Sequence, residues 1–284
     1  MNAPAAVTPA PQSLPALLAK GRPLVMGVLN ITPDSFSDGG QFIEPSVAIA
    51  HARQMAADGA DILDIGAEST RPYGGMKPVS TDDEIARLAP VLPAMVAFGP
   101  LVSIDTLKTS TAAWALDRGA AIINDVWGLQ RDPAMAEVAG EAGVPVIVMH
   151  NRETIDPAID IVDDMKRFFE RSLDLARRAG VPERHVILDP GIGFGKSWEQ
   201  HLEAIRRLPE IRALGFPVLA GISRKSVLGR IHNTTVPPRE RLYGSIAAHV
   251  MAIAYGADIV RVHDVRQHVE ACQVADAIRR ARHG

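Results

Sequence analysis

Eight short apolar runs, each ending at or beside a polar residue and followed by a longer amphipathic stretch, constrain this chain more than anything else in its sequence. The runs are LVMGVLN (24–30), DILDIGA (61–67), LVSIDT (101–106), AIINDV (121–126), PVIVMH (145–150), HVILDP (185–190), PVLAGIS (217–223) and DIVRVHD (258–264). They are nearly continuous in apolar residues, as strands covered on both faces must be. Between them lie helical patterns such as SVAIAHARQMAADG, DEIARLAPVLPAMVAFG, VDDMKRFFERSLDLARRAG and RERLYGSIAAHVMAIAYG. Most of these helices finish in a glycine before the next run, at Gly59, Gly99, Gly119, Gly143, Gly180, Gly215 and Gly256. Glycine takes the left-handed conformation without strain, so each is a helix stop.

Eight βα units in about 260 residues match an α/β (β/α)8 TIM barrel, whose usual length is ~250. A doubly wound open sheet is the alternative. The phrase Gly-Ala-Asp-Ile at 59–62 and 256–259, with Gly-Ala-Ala-Ile at 119–122, echoes one βα unit and is not a solenoid period. With no break in composition, one barrel domain is expected over residues 21–284, preceded by a Pro/Ala-rich flexible tail over 1–20.

Charge and cysteine usage narrow the function. The 30 Lys+Arg against 33 Asp+Glu leave no basic excess for a polyphosphate backbone, so a nucleic-acid partner is not expected. A single cysteine, Cys272, excludes an internal disulfide framework and a Cys-based zinc cluster. The uncharged stretch 242–257 contains His249 and falls short of the ~20 residues a spanning helix needs. The N-terminus lacks the basic region of a secretory signal. A reduced cytoplasmic protein with no membrane association is expected.

In such barrels the chemistry sits where strands end. Those ends carry Asn30, Glu68-Ser69-Thr70-Arg71, Asp105, Asn124, His150, Asp189, Ser223-Arg224-Lys225, Arg261 and His263. One by one they have ordinary readings: Asp105 and Asp189 as helix N-caps, Asn124 as a turn former, Lys225 as a solvated cation. Together they form a set that could read the donor and acceptor edge of a polar heterocycle, with cations at the last two strands where phosphate often binds. DPGIGFGKS (189–197) is not a Walker loop, because its first glycine position holds Pro190. Nor is it a dinucleotide fingerprint, because Lys196 replaces the last glycine. A glycine-lined approach to a flat ligand fits it better. His51, His201, His249 and His268 lie on helices without partner spacing and read as surface or packing residues. Cys272, at i+7 from Val265, reads as a small core residue.

At these ends the sequence resembles the dihydropteroate synthases, folate-pathway members of the pterin-binding barrel family. The resemblance rests on GVLNITPDSFSDGG (27–40), IGAESTRP (65–72), SIDT (103–106), INDV (123–126), LDPGIGFGK (188–196), GISRKS (221–226) and RVHDV (261–265), and runs from about residue 23 to the end. It implies a transferase joining 7,8-dihydropterin-6-ylmethyl diphosphate to 4-aminobenzoate, with Mg2+, pyrophosphate release and sensitivity to sulfonamides. It implies that Asp105, Asn124, Asp189 and Lys225, with Gly221, line a pterin pocket. Arg261 and His263 would hold the diphosphate beside Asn30, the Mg2+ ligand. Loops carrying Asp38 and Gly39-Gly40, and Thr70, Arg71 and Pro72, would order over the diphosphate and build the aminobenzoate site with Phe194 and Ser226. Asp38, Lys225, Arg261 and His263 are the implied catalytic set, and a homodimer through the outer helices is the family pattern. The chain departs from that pattern in a longer second loop, STRPYGGMKPVS with Tyr73 and Lys77, and in MHNRE where MHMxG is common. A catalytically silent pterin-binding paralogue and a pterin-dependent methyltransferase barrel are the alternatives. An aldolase-type enzyme using Lys225 as a Schiff base is a further one.

Overall fold

A computed structural model describes residues 13–31, 44–68, 79–231 and 236–281. The chain opens with helix α1 (Leu14–Leu18) and strand β1 (Leu24–Asn30), then α2 (Pro45–Ala57), β2 (Ile62–Gly66), α3 (Thr81–Leu88), α4 (Leu92–Val96) and β3 (Leu101–Asp105). It continues through α5 (Thr109–Leu116), β4 (Ile122–Asp125), α6 (Ala134–Ala142), β5 (Val146–Met149), α7 (Ile161–Arg178) and β6 (Val186–Asp189). The last third holds α8 (Trp198–Arg206), α9 (Leu208–Arg212), β7 (Leu219–Ala220), α10 (Ser226–Ile231), α11 (Leu242–Ala254), β8 (Ile259–Val262) and α12 (Val265–Arg280). All neighbouring strands pair in parallel, in the order β6-β5-β4-β3-β2-β1-β8-β7. A bridge between Leu188 and Val218 joins the two ends of that order, so the sheet closes into a (β/α)8 TIM barrel and the open-sheet alternative falls. The seven glycines expected to stop helices all have positive φ, from 65° at Gly143 to 105° at Gly256.

Side chains on a strand alternate between faces. In a closed barrel one face looks inward and the other toward the helices. The lower interior layer is apolar: Met26, Ile62, Leu101, Ile122, Ile147, Ile187, Leu219 and Ile259 form one buried cluster. The outward residues, among them Leu63, Ile65, Val102, Ile104, Ile123, Val146, Val148, Val186 and Leu188, join the helices in a second, larger cluster.

The stretch 1–20, expected as a flexible tail, contains helix α1. Ser13 caps α1, and Leu14 and Leu17 are 2% and 3% exposed because they belong to the interior cluster at the base of the barrel. Two leucines three residues apart reach the otherwise open floor of apolar side chains, and Arg279 and Arg280 hold the following turn through the carbonyls of Gly21 and Lys20. Residues 1–12 lie outside the described residues. No helix among the described residues is long and apolar enough to cross a membrane.

Candidate active site

Counting upward in steps of two from the apolar layer gives the inward residues at the C-terminal mouth. Met26 is followed by Val28 and Asn30, Ile62 by Asp64 and Gly66, and Leu101 by Ser103 and Asp105. Ile122 leads to Asn124, Ile187 to Asp189, Leu219 to Gly221, and Ile259 to Arg261. Strand register then sets them side by side: Asp64 against Ser103, Asp105 against Asn124, and Met149 against Asp189. Gly66 sits opposite Asp105, where a Cβ would come within 3.3 Å of the Asp105 Cβ, so the missing side chain makes room for that carboxylate.

Two clusters share the mouth. In the first, the Arg261 guanidinium bridges Asp64 at 2.6 Å and Asp105 at 2.7 Å, and Asn124 Nδ2 donates to Asp64 Oδ2 at 3.1 Å. Asp64 Oδ1 and Asp105 Oδ1 are buried acceptors with no hydrogen-bond partner among the described residues. Such atoms are costly unless something donates to them. Burial pushes the Asp105 carboxyl up to about 7 against the pull of Arg261. Asp64 escaped the sequence reading because it sits inside an apolar run rather than at its end. A carboxylate interrupting a strand covered on both faces was the available signal.

The second cluster joins β6 to the turn after β7. Asp189 Oδ1 accepts from Gly191 N–H at 2.8 Å, and burial raises the carboxyl above its ordinary range, with Lys225 opposing. Burial lowers the Lys225 ammonium to about 8, with Asp189 opposing. Lys225 Nζ donates to Ile192 O and lies 4.9 Å from the centre of the Phe194 ring. Gly221 lies beneath both clusters: a Cβ there would be 3.7 Å from Lys225 Nζ and 3.8 Å from Arg261 Cβ. His263 Nδ1 meets Ser223 Oγ at 3.0 Å, and Ser226 opens α10.

Lys196 shapes the 191–195 loop from behind. Its Nζ donates to the carbonyls of Gly191 (2.9 Å), Phe194 (3.1 Å) and His150 (3.3 Å), and burial lowers the ammonium to about 7. Gly191 has φ +64°, and a Cβ there would stand 1.9 Å from His150 O, so the loop tolerates no side chain at that point. The sequence marked Lys196 only as a motif mismatch; nothing in the linear pattern shows that it is caged.

His150, although at a strand end, does not face the mouth. One residue beyond inward-facing Met149, it turns outward to α7, with its ring 5.0 Å from Phe168 and Nε2 3.1 Å from Asp164. The MHNRE departure follows the same direction: Asn151 donates to Val126 O and Arg152 pairs with Asp164 at 2.6 Å. At the foot of the second loop, Lys108 bridges Glu68 and fully buried Glu84, and Glu68 also accepts from Val79 N–H at 3.1 Å. Asp38, Gly39, Gly40, Thr70, Arg71, Pro72 and residues 73–78 lie outside the described residues.

Buried rings make stability depend on pH. Burial and the Lys196 cation hold His150 near 4 and His201 near 3. Both therefore stay neutral in the folded state while the unfolded chain takes up protons near 6.5. Their contribution is complete above that pH and is lost as the pH falls toward the folded values. These two rings should lower the unfolding free energy by roughly 1–3 kcal/mol per pH unit between 6.5 and 4.5, with the raised Asp105 carboxyl opposing them. Urea denaturation of the protein and of His201→Gln at pH 7.5, 6.0 and 5.0 measures this share, and an equal pH dependence in the two would contradict the neutral burial of that ring.

Comparison with known proteins places the site in context. Residues 26–263 match the family model for pterin binding enzymes. The dihydropteroate synthase of Bacillus subtilis strain 168 is 46% identical over 264 residues, covering 93% of this chain and 91% of that protein. The crystal structure of the Xanthomonas albilineans dihydropteroate synthase with 4-aminobenzoic acid superposes with a TM-score of 0.86 at 40% identity, covering 92% and 94% of the two chains. That of the Yersinia pestis enzyme with a sulfonamide drug gives 0.85 at 40% identity, covering 92% and 96%.

Proposed function

This chain belongs to the pterin-binding enzyme family, as one of the dihydropteroate synthases, and we propose how its own residues divide the work of that transferase reaction. The substrates are the 6-ylmethyl diphosphate of 7,8-dihydropterin and 4-aminobenzoate; the products are 7,8-dihydropteroate and pyrophosphate. The C–O bond to the diphosphate breaks with its electron pair on oxygen, the aryl amine forms the new C–N bond, and the amine gives up one proton.

The observation that carries the assignment is the set of buried acceptors beside two cations in one mouth. A pterin presents a guanidine-like edge of N–H donors next to a carbonyl. Asp189 would accept from the 2-amino group and ring N–H, and Lys225 would donate to the carbonyl, a charge-matched pairing. Asn124 and Asp105, the latter with a buried oxygen unpartnered among the described residues, would meet the remaining polar atoms of the ring. Phe194, with its ring against Lys225, would support the aryl ring of aminobenzoate together with Ser226, Thr70, Arg71 and Pro72.

Arg261 and His263 would face the diphosphate. Charge grows on that group as the bond breaks, and a fixed cation there stabilises the transition state more than the ground state. Asn30 ends β1 at the same mouth and offers a neutral carboxamide oxygen, which suits Mg2+ because that ion takes few protein ligands and brings phosphate oxygens and water. Bound there, Mg2+ would neutralise charge on the leaving diphosphate; Asp38 would act beside it. Tyr243, Met251, Val274 and Ile278 are exposed apolar residues on α11 and α12, which supports a homodimer through these helices. The single buried thiol, Cys272, suits a reducing cytoplasm.

The assay is pyrophosphate release from the pterin diphosphate, with each of 4-aminobenzoate and Mg2+ present or omitted. Release is expected only with all three together. Binding of the pterin diphosphate without any release would instead identify a silent paralogue.

A further inference from the structure

The two strands beneath the leaving-group residues part early. β7 pairs with β8 only at Leu219 with Ile259 and Ala220 with Val260. Above that level, side chains span the gap. Ser223 Oγ meets His263 Nδ1 at 3.0 Å, and Arg224 grips Asp264 through Nε at 3.0 Å and Nη2 at 2.5 Å. Arg224 stands at φ +58°, a left-handed conformation that is strained for a non-glycine residue. Its N–H is held by Ser245 Oγ at 2.9 Å and its carbonyl by Arg241 Nη1 at 2.9 Å. The turn that aims Lys225 is therefore strained and fixed from several sides.

Beneath it lie two histidines, each 1% exposed, His249 from α11 and His268 from α12. The sequence reading treated them as residues without partner spacing, yet they partner each other. Ile222 N–H points at His249 Nε2, 3.1 Å away. A backbone N–H can only donate, so that nitrogen bears no proton and a neutral ring carries it on Nδ1. Nδ1 faces His268 Nε2 at 3.0 Å, which must accept. The His268 proton is then on Nδ1, 2.7 Å from Asp264 O. The polarity of every bond follows from the first, giving a one-way chain from Ile222 through both rings to Asp264.

We propose that His249 and His268 form a positioning relay for the transferase reaction, setting the distance between the turn that carries Lys225 and the turn that carries His263. Neither ring touches substrate; they act through Ile222 and Asp264, one at the end of each turn. The inference rests on the roles given above to Lys225 and His263. Burial keeps both rings below their ordinary range, His249 strongly so with His268 adding to it. The groups facing the pair are Lys225 and Arg224 from the β7 turn, Asp264 from the β8 turn, and the carbonyls of Ala220 and Ser245. A proton added to either ring would set two donors against each other, so the relay also resists titration.

Long-range 1H–15N spectroscopy of the full chain, labelled at histidine, tests the geometry. Both rings should show the Nδ1–H tautomer and no protonation from pH 8 to 5. An Nε2–H tautomer on either ring, or ordinary titration near 6.5, would overturn the relay.

His268→Asn tests the function. Its amide can still donate to Asp264 O but is too short to reach His249. Turnover should fall about tenfold with both KM values within about twofold, and His268→Gln, which can place an oxygen near His249, should recover part of it. Unchanged turnover in folded His268→Asn, or equal loss in both variants, would remove the positioning role. Wild-type protein that releases no pyrophosphate would sink the functional reading instead, while the tautomer measurement still decides the relay.

Discussion

Asp189→Asn should weaken pterin binding by roughly 2–4 kcal/mol, about 30- to 1000-fold, without costing stability. The asymmetry comes from the side chain's own commitments. Asp189 Oδ1 already accepts Gly191 N–H at 2.8 Å. An asparagine would keep its oxygen on that donor, leaving its NH2 to face the pterin donors. A charged acceptor thus becomes a donor opposite donors. The folded protein loses little, because burial already disfavours the Asp189 charge. Calorimetry with a pterin ligand and denaturation of the same variant separate the two effects. Undiminished affinity would mean that Asp189 does not read the pterin edge.

Arg261→Ala should damage both fold and turnover. The guanidinium is the cation between Asp64 and Asp105, and removing it leaves two carboxylates close together with poor access to water. Breaking such a pair typically costs roughly 3–5 kcal/mol. Asp105, at about 7 even with Arg261 present, would rise further. A carboxyl raised above its unfolded value gives stability that is full at low pH and lost as pH climbs through the folded value. The variant should therefore be least impaired in mild acid and worst above pH 7. Turnover should fall by about 10²-fold or more, as when other transition-state donors are removed. Arg261→Lys should restore part of the stability but less of the rate, since one ammonium cannot reproduce the planar fork. Denaturation across pH 6 to 8, alongside steady-state pyrophosphate release, gives both numbers. A stable, active Arg261→Ala protein would remove Arg261 from the centre of the site.

The barrel was legible because each run and each helix stop carries its own local signal; Gly59 and Gly256 mark the same event in different units. Strand ends singled out Asp105, Asn124, Asp189, Lys225 and Arg261 as a set, although each alone has an ordinary reading, and the register brings them to one mouth. What stayed hidden depends on facing or on distance along the chain. Asp64 is buried mid-run, and only the two-residue step from Ile62 shows that it shares an interior with Asp105. His150 ends a run just as Asp189 does, yet the same step sends it outward. His249 and His268 meet only because α11 packs on α12, a contact no helical spacing encodes. The hydroxyl cap of Ser13 and the two leucines of α1 make too short a pattern to rise above a Pro/Ala-rich terminus.

The closure of the barrel carries a consequence for how ligand and architecture depend on each other. Every other neighbouring pair of strands shares at least two registered positions, whereas β6 and β7 meet at the single Leu188–Val218 bridge. Backbone held by few ladder bonds opens at low free energy, so the hoop should breathe there first. Asp189 lies one residue beyond that joint on β6, and Lys225 hangs from the turn on its far side. A heterocycle gripped by both would act as a rivet across the weakest point of the ring. If Asp189 and Lys225 hold the substrate as proposed, recognition and mechanical closure would draw on the same two side chains, and ligand should slow opening of the β6–β7 joint.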